Sequence, residues 1–237
     1  METEYGIVYG NVVNASALTY ANIVYNGTGY SAELKSLVID LLNYATAART
    51  YFGYSEGVPA PEKAFNSILS DADKTVNWNE SMKAGVQVIT ESDTAFNPTP
   101  YGVNTNLLEA IALNMLFTDG QGVEGMLYWN ASDYAANEVH DATTATGDLE
   151  AIDGGAAVYG SVTGIYAFQM YNNYYFRAYD AEGNLSNTYC VSVASYLTTA
   201  LNQHANATTE EDVAFVNLVK AMMVYGTNAK TNPEISK

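Results

Sequence analysis

The residues of this chain best suited to binding a ligand are aromatic rings set among short polar side chains. The 237-residue sequence contains 20 Tyr and 2 Trp. A sugar ring has an apolar C–H face and a rim of hydroxyls, so its binding sites combine flat aromatic rings with amide and hydroxyl groups. Six rings lie beside Asn, Gly or Pro or on the solvated face of a strand, where burial is not forced: Trp78, Trp129, Tyr54, Tyr101, Tyr171 and Tyr175. We expect these side chains to contact a neutral, hydroxyl-rich ligand.

The residue types needed for catalysis form no specific pattern. The only histidines are His140 and His204; we expect His140 to be solvated in an acidic loop and His204 to lie without a partner in a polar loop. A glycoside hydrolase needs two carboxylates roughly 5 to 9 Å apart in a cleft. Asp133, Glu138 and Glu150 are conceivable, but acidic residues are so numerous that almost any pair would qualify. We therefore expect no enzyme activity.

Metal-ligating residues give an equally weak pattern. The sequence has no Cys/His spacing of the zinc type. Four acidic residues could supply oxygen ligands to Ca²⁺, without the alternating spacing of an EF-hand loop: Asp141, Asp148, Glu150 and Asp153. We expect no cofactor, with a bound calcium ion as the alternative.

The charge balance restricts the partners. Nine Lys and Arg face 26 Asp and Glu, which gives a formal net charge of −17. Such a chain cannot supply the cations that bind nucleic acid phosphates or an anionic membrane surface. No stretch approaches the roughly 20 apolar residues of a membrane span, and the acidic first residues are not expected to act as a signal peptide. The single cysteine, Cys190, lies in an apolar alternating run and is expected to be buried and inert.

Two segments at opposite ends of the chain repeat one another. Residues 16–26 align without gaps on residues 192–202, and residues 37–49 align on residues 218–230. In each copy the apolar residues recur at i, i+3, i+4 and i+7, which predicts a helix with one buried face. Ser31 is the predicted N-cap of the first long helix, which should end at Gly53 or Gly57, and a capping box is predicted from Thr208 to Glu211.

The middle of the chain is β in character. Runs rich in Tyr, Val, Phe and Thr, separated by Gly, Asn and Asp, predict antiparallel strands over residues 107–117, 125–129, 157–162, 165–171, 174–179 and 185–193. Residues 180–184 form the turn of the last hairpin, residues 133–155 an acidic loop and residues 61–69 a short helix. Rings on helical or strand stripes are expected in the core: Tyr44, Tyr225, Tyr166 and Phe168.

These patterns predict a mixed α+β fold, in which an antiparallel β-sandwich is flanked by N- and C-terminal helical pairs that pack together. The predicted parts are a helical segment over residues 1–80, a sandwich over 81–190 and a second helical pair over 191–237, together forming one compact unit.

Three runs carry a family resemblance. The runs LKSLVIDLLNYATAARTYFGY (residues 34–54) and FVNLVKAMMVYGTNAK (215–230) resemble the LVxxMLNYGAAAQxYFGY helix of a repeat module in cell-surface proteins of gut Firmicutes. The run YYFRAYDAEGNLSNTYCVSVASYLTTAL (174–201) is similar to the hairpin and helix that precede it there. Ala45 stands where that family usually has Gly, and helices precede the single sandwich here.

The resemblance implies a β-sandwich followed by helices, in a secreted or cell-surface bacterial protein. Some members belong to starch-adherence proteins of amylosomes, in which the module binds malto-oligosaccharides. The resulting hypothesis is a non-catalytic module that binds starch-type α-1,4-glucan, with other cell-surface proteins as further partners through regions outside this chain. The alternative is a structural or adhesin module whose aromatic residues are core, and a glycoside hydrolase is the third class.

Overall fold

A computed structural model describes residues 2–3, 6–7, 17–53, 86–91, 96, 99–105, 110–117, 123–149 and 155–235. This part of the chain is a mixed α+β structure with antiparallel sheets and five α-helices. The helices are α1 (Ala17–Asn26), α2 (Ala32–Phe52), α3 (Ala131–Ala136), α4 (Val193–Gln203) and α5 (Glu210–Thr231). The strands are β1 (Glu2–Thr3), β2 (Gly6–Ile7), β3 (Gln87–Ile89), β4 (Thr99–Thr105), β5 (Ala110–Phe117), β6 (Val123–Asn130), β7 (His140–Asp141), β8 (Thr143–Leu149), β9 (Gly155–Thr163), β10 (Tyr174–Asp180) and β11 (Thr188–Val191). The predicted helix over residues 61–69 lies outside the described residues.

The helix termini follow from local capping chemistry. The Ser31 hydroxyl accepts a hydrogen bond from the backbone N–H of Leu34, and Gly53 ends α2 with a left-handed φ of 67°. Both predicted termini of α2 are therefore confirmed. Helix α5 begins one residue later than the capping box predicted, because Thr209 rather than Thr208 accepts from the backbone N–H of Asp212.

The repeated segments have matching burial. Leu37 and Val38 of α2 are buried, and so are their counterparts Leu218 and Val219 of α5. Ala48 and its counterpart Ala229 are buried as well. The sequence repeat therefore corresponds to a repeated pattern of inward-facing side chains.

Two larger sheets contain most of the described strands. One has five strands in the order β3-β11-β10-β6-β7, and the other has four in the order β4-β5-β9-β8. Strand β10 alternates as the sequence predicts, since Tyr174, Phe176 and Ala178 are buried whereas Tyr175, Arg177 and Tyr179 are half-buried. The predicted hairpin turn after β10 contains Gly183 with a φ of 82°.

Close approaches connect these elements through the core. A Cβ atom added at Gly160 of β9 would lie 2.7 Å from the sulfur of Met126 on β6, in the other large sheet. Gly226 of α5 lies against Met170, which is fully buried. These glycines let the backbone approach its neighbours more closely than any side chain would permit.

Three predictions about the middle of the chain are wrong. Residues 165–171 form no strand: Gly164 takes a φ of 77°, and a 3-10 turn occupies Ala167–Gln169. The acidic loop instead contains α3, β7 and β8, because β8 pairs with β9 along its length. Tyr166 is 65% exposed and stacks on Phe168, so Tyr166 is not a core residue. Among the described helices, none is both long enough and apolar enough to cross a membrane.

Candidate functional site

The structure brings together two of the six predicted ligand-binding residues. Trp129 of β6 and Tyr175 of β10 are direct cross-strand partners. Their ring centroids lie 5.8 Å apart and their planes differ by 16°, so the rings stack. Both side chains are half-buried.

Strand alternation places further side chains beside this pair. Arg177 and Tyr179 follow Tyr175 on the same face of β10, because side chains two positions apart share a face. The Arg177 Nε donates to the Ser186 backbone oxygen at 2.6 Å. Tyr179 lies over Gly125, where an added Cβ would approach the phenol oxygen to 2.5 Å. We call these four residues, Trp129, Tyr175, Arg177 and Tyr179, the aromatic face.

Cys190 lies next to the aromatic face, as the β11 partner of Tyr175. It is free and buried, as predicted. Burial raises the pKa of its thiol, although a hydrogen bond with Tyr175 acts in the opposite direction. A protonated, covered thiol is a poor nucleophile, so Cys190 is a packing residue.

Tyr171 lies in a different environment from Trp129 and Tyr175. It precedes β10 and is 38% exposed. Its hydroxyl is 2.8 Å from the Thr227 hydroxyl, and the Lys230 ammonium lies 4.7 Å from the ring centroid. Both partners belong to α5, so Tyr171 is held against that helix rather than in the aromatic face.

The remaining predicted binding residues are not placed in a site. Tyr101 lies in β4, where only its backbone is described. Trp78 and Tyr54 lie outside the described residues.

One cluster of polar side chains has the residue types of a metal-binding site. Ligand atoms of Asp133, Glu138 and His140 all lie within 4.8 Å of one another. The Asp133 carboxylate also accepts the backbone N–H of Asn130 at 2.9 Å, which caps α3. Glu150 and Asp153, two of the four predicted calcium ligands, lie outside the described residues. The cluster thus differs from the predicted calcium site.

The two histidines have partners. His140 is 41% exposed at its side chain, and its Nε2 lies 3.6 Å from an Asp133 oxygen. The His204 Nδ1 lies 3.1 Å from the Asp212 carboxylate, and its ring meets Phe215 edge-on. The expectation that His204 lacks a partner is therefore wrong, because the start of α5 folds back towards the end of α4.

The expectation that the sequence contains no pattern typical of a catalytic nucleophile needs one correction. Residues 53–57 read Gly-Tyr-Ser-Glu-Gly, which matches the Gly-x-Ser-x-Gly of a hydrolase nucleophile elbow. An elbow joins a strand to a helix, whereas this pentapeptide follows the end of helix α2. Ser55 itself lies outside the described residues.

Sequence reasoning missed the polar residues of α4. Ser195, Thr198 and Asn202 recur at spacings of three and four, so they share one helix face. Their spacing is the signal that could have identified them.

Comparisons with protein-family models, curated proteins and solved structures find no match to this chain.

Proposed function

We propose that this chain is a non-catalytic carbohydrate-binding module that binds a starch-type α-1,4-glucan through its aromatic face. The observation that carries the proposal is the stacked, half-buried pair of Trp129 and Tyr175. A sugar ring laid against the pair would extend the stack and remove its own apolar face from water. The cost in side-chain entropy is small, since the two aromatic rings already hold each other in place.

Neighbouring groups suit the rim of a sugar. The Arg177 guanidinium has five N–H donors, and its Nε–H is engaged by Ser186. Donors on its terminal nitrogens could reach sugar hydroxyls, while the Ser186 contact fixes the side chain. Gln87 extends the same row of the sheet beyond Cys190 and has an exposed amide. A neutral glucan needs such groups and does not need the cations that this chain lacks.

The architecture we propose for the module has two parts. The two large sheets form an antiparallel β-sandwich, supported by the contact between Met126 and Gly160. The N- and C-terminal helical pairs pack together, supported by the contact between Tyr44 and Tyr225. We place the module in a secreted or cell-surface bacterial protein, on the sequence resemblance described above.

A shallow aromatic site gives modest affinity. Dissociation constants in the millimolar to micromolar range correspond to about −4 to −8 kcal/mol. Several modules acting on one polymer would raise the apparent affinity without any new contact.

The test is affinity gel electrophoresis in gels containing soluble amylopectin or another polysaccharide. The wild-type chain should be retarded by amylopectin, while Trp129→Ala and Tyr175→Ala should each restore most of its mobility. Tyr134→Ala is the matched control, since Tyr134 is 77% exposed on α3. Melting temperatures measured in parallel distinguish lost binding from lost folding.

Each other outcome favours a different class of protein. Unchanged mobility of the wild type with every polysaccharide would overturn the proposal and favour a structural or adhesin module. If the variants that lose binding also have a much lower melting temperature than the wild type, Trp129 and Tyr175 are core residues. Release of reducing sugar from a polysaccharide panel would instead identify a glycoside hydrolase.

A further inference from the structure

An open groove of about 770 Å³ lies between Tyr171 and helix α4. Its lining combines one aromatic ring with three hydroxyls and two amides, from Tyr171, Ser195, Thr198, Thr199, Asn202 and Gln203. None of the described residues that line the groove carries a charge. This combination is suited to a ligand with apolar faces and many hydroxyl groups.

Tyr171 is a fixed wall of the groove. Its hydroxyl bonds Thr227 and its ring interacts with Lys230, both on α5. Helix α5 therefore holds the Tyr171 side chain in one orientation. No described residue of that helix lines the groove itself. A ligand that stacks on an ordered ring loses less entropy than one that must first order the ring.

The opposite wall supplies both acceptors and donors. The Thr198 hydroxyl donates its proton to the Ala194 backbone oxygen at 2.8 Å, so it can act only as an acceptor towards a ligand. Asn202 is exposed and carries both an acceptor and donors. The side-chain nitrogen of Gln203 is buried and has no hydrogen-bond partner within the part of the chain that the structure describes. Turning that amide towards a ligand would break no hydrogen bond of the nitrogen, and a buried unpaired donor is itself unfavourable.

We propose that this groove is a second carbohydrate subsite, distinct from the aromatic face, that takes an uncharged segment of an oligosaccharide. The proposal rests on the carbohydrate-binding function proposed above. Tyr171 and Tyr175 are four residues apart, so their Cα atoms are at most about 14 Å apart. A polysaccharide that binds both sites would gain from this short separation, because binding at the first raises the effective ligand concentration at the second.

The experiment is a site-resolved titration of the full, ¹⁵N-labelled chain with maltotriose, with cellotriose as the comparison sugar. Amide shifts of Thr198 and Asn202 report on the groove, while the Trp129 indole and the Tyr175 amide report on the aromatic face. Both sets of signals should shift when maltotriose is added, and a separate Kd is fitted to each set.

Variants separate ring contact from fold support. Tyr171→Ala should weaken the groove Kd about tenfold and leave the Kd of the aromatic face unchanged. Tyr171→Phe keeps the ring and loses the bond to Thr227, so it should bind within about twofold of wild type. Asn202→Ala should weaken groove binding, whereas its repeat counterpart on α1, Asn26→Ala, should not.

The outcomes distinguish the two proposals. Shifts confined to Trp129 and Tyr175 would overturn the groove and leave the proposed function intact. Shifts confined to α4 would support the groove and overturn the aromatic face as a site. No shift with either sugar would overturn both. Equal losses from Tyr171→Phe and Tyr171→Ala would show that the tyrosine acts only through Thr227, which contradicts a stacking role.

Discussion

Tyr44 and Tyr225, which occupy equivalent positions in the two repeated segments, stack on each other with ring centroids 6.0 Å apart and planes 13° apart. The contacts on either side of this pair show that α2 and α5 pack antiparallel to each other. Asn228 donates to the Asp40 carboxylate at 2.7 Å, and the rings of Tyr51 and Phe215 are 5.4 Å apart. A residue in contact with its own repeat counterpart is what a two-fold relation between α2 and α5 would produce.

The first prediction concerns the stability contributed by this tyrosine pair. Tyr44→Ala and Tyr225→Ala should each lower the free energy of unfolding by about 1 to 3 kcal/mol, because each ring is half-buried against the core. In a double-mutant cycle measured by urea unfolding, the two losses should show a coupling energy of about 0.5 to 1.5 kcal/mol. Tyr44→Ala combined with Tyr134→Ala is the control and should be additive. Additive losses for Tyr44 and Tyr225 would contradict a direct contact between the rings.

The second prediction concerns Gly226, the repeat counterpart of Ala45. A Cβ at Gly226 would overlap the sulfur of Met170 and lie 3.2 Å from the Ala167 backbone oxygen, and Met170 has no solvent space to move into. Gly226→Ala should therefore lower the free energy of unfolding by about 1 to 2 kcal/mol, since overpacking outweighs the gain in helix propensity.

Two further variants test the cause of that loss. In a Met170→Ala background the overlap with the sulfur is removed and only the close approach to the Ala167 backbone oxygen remains, so adding Gly226→Ala should cost clearly less than in the wild type. Ala45 is exposed, so Ala45→Gly should cost only the helix propensity of about 0.5 to 1 kcal/mol. An equal loss from Gly226→Ala with and without Met170 would exclude the proposed clash.

The third prediction concerns alkaline pH. Burial raises the pKa of Tyr189 to about 12 from 10.0, and the side chain is 1% exposed. Because the folded state holds this proton more tightly, the associated stability is complete below pH 10 and is lost as the pH rises towards 12. This rise in the pKa of Tyr189 corresponds to about 2 to 3 kcal/mol of folding free energy.

Urea unfolding at stepwise pH values measures that loss. Tyr189→Phe should lose less stability than wild type across this window, because it has no proton to release. Some slope should remain in the variant, since burial also raises the pKa values of Tyr159 and Tyr225. Tyr134→Phe is the exposed control and should follow the wild type. The same slope for wild type and Tyr189→Phe would show that Tyr189 does not contribute.

Strand β10 and the repeated helices could be predicted from sequence because their patterns are local. In β10, burial alternates at the period of a strand, and in α2 it follows the helical period. Residues 165–171 form a short run of apolar and aromatic residues, yet Ile165 and Met170 are buried around a 3-10 turn rather than in a strand. A short apolar run does not determine whether a sheet edge or a helix will cover it.

The candidate site depends on register, which the sequence does not contain. The sequence identifies Trp129 and Tyr175 separately as rings whose burial is not forced, but only the pairing of β6 with β10 makes them neighbours. Strand β8 was missed for a related reason: its threonines favour a strand, but its Ala, Gly and Asp residues do not, and it is held by pairing with β9. Long-range pairing of this kind cannot be derived from a single sequence.

The fourth prediction concerns the reactivity of Cys190, which lies between Tyr175 and Gln87 in the five-stranded sheet. Because Cys190 is buried and burial also raises the pKa of its thiol, a disulfide reagent should react with the native chain only through transient opening. Tyr175→Ala should uncover the sulfur and accelerate the reaction by about tenfold or more, equal to at least about 1.4 kcal/mol in opening free energy. Tyr171→Ala, outside the aromatic face, should leave the rate unchanged. Immediate reaction of the wild type, or equal rates for the two variants, would show that Tyr175 does not cover the thiol.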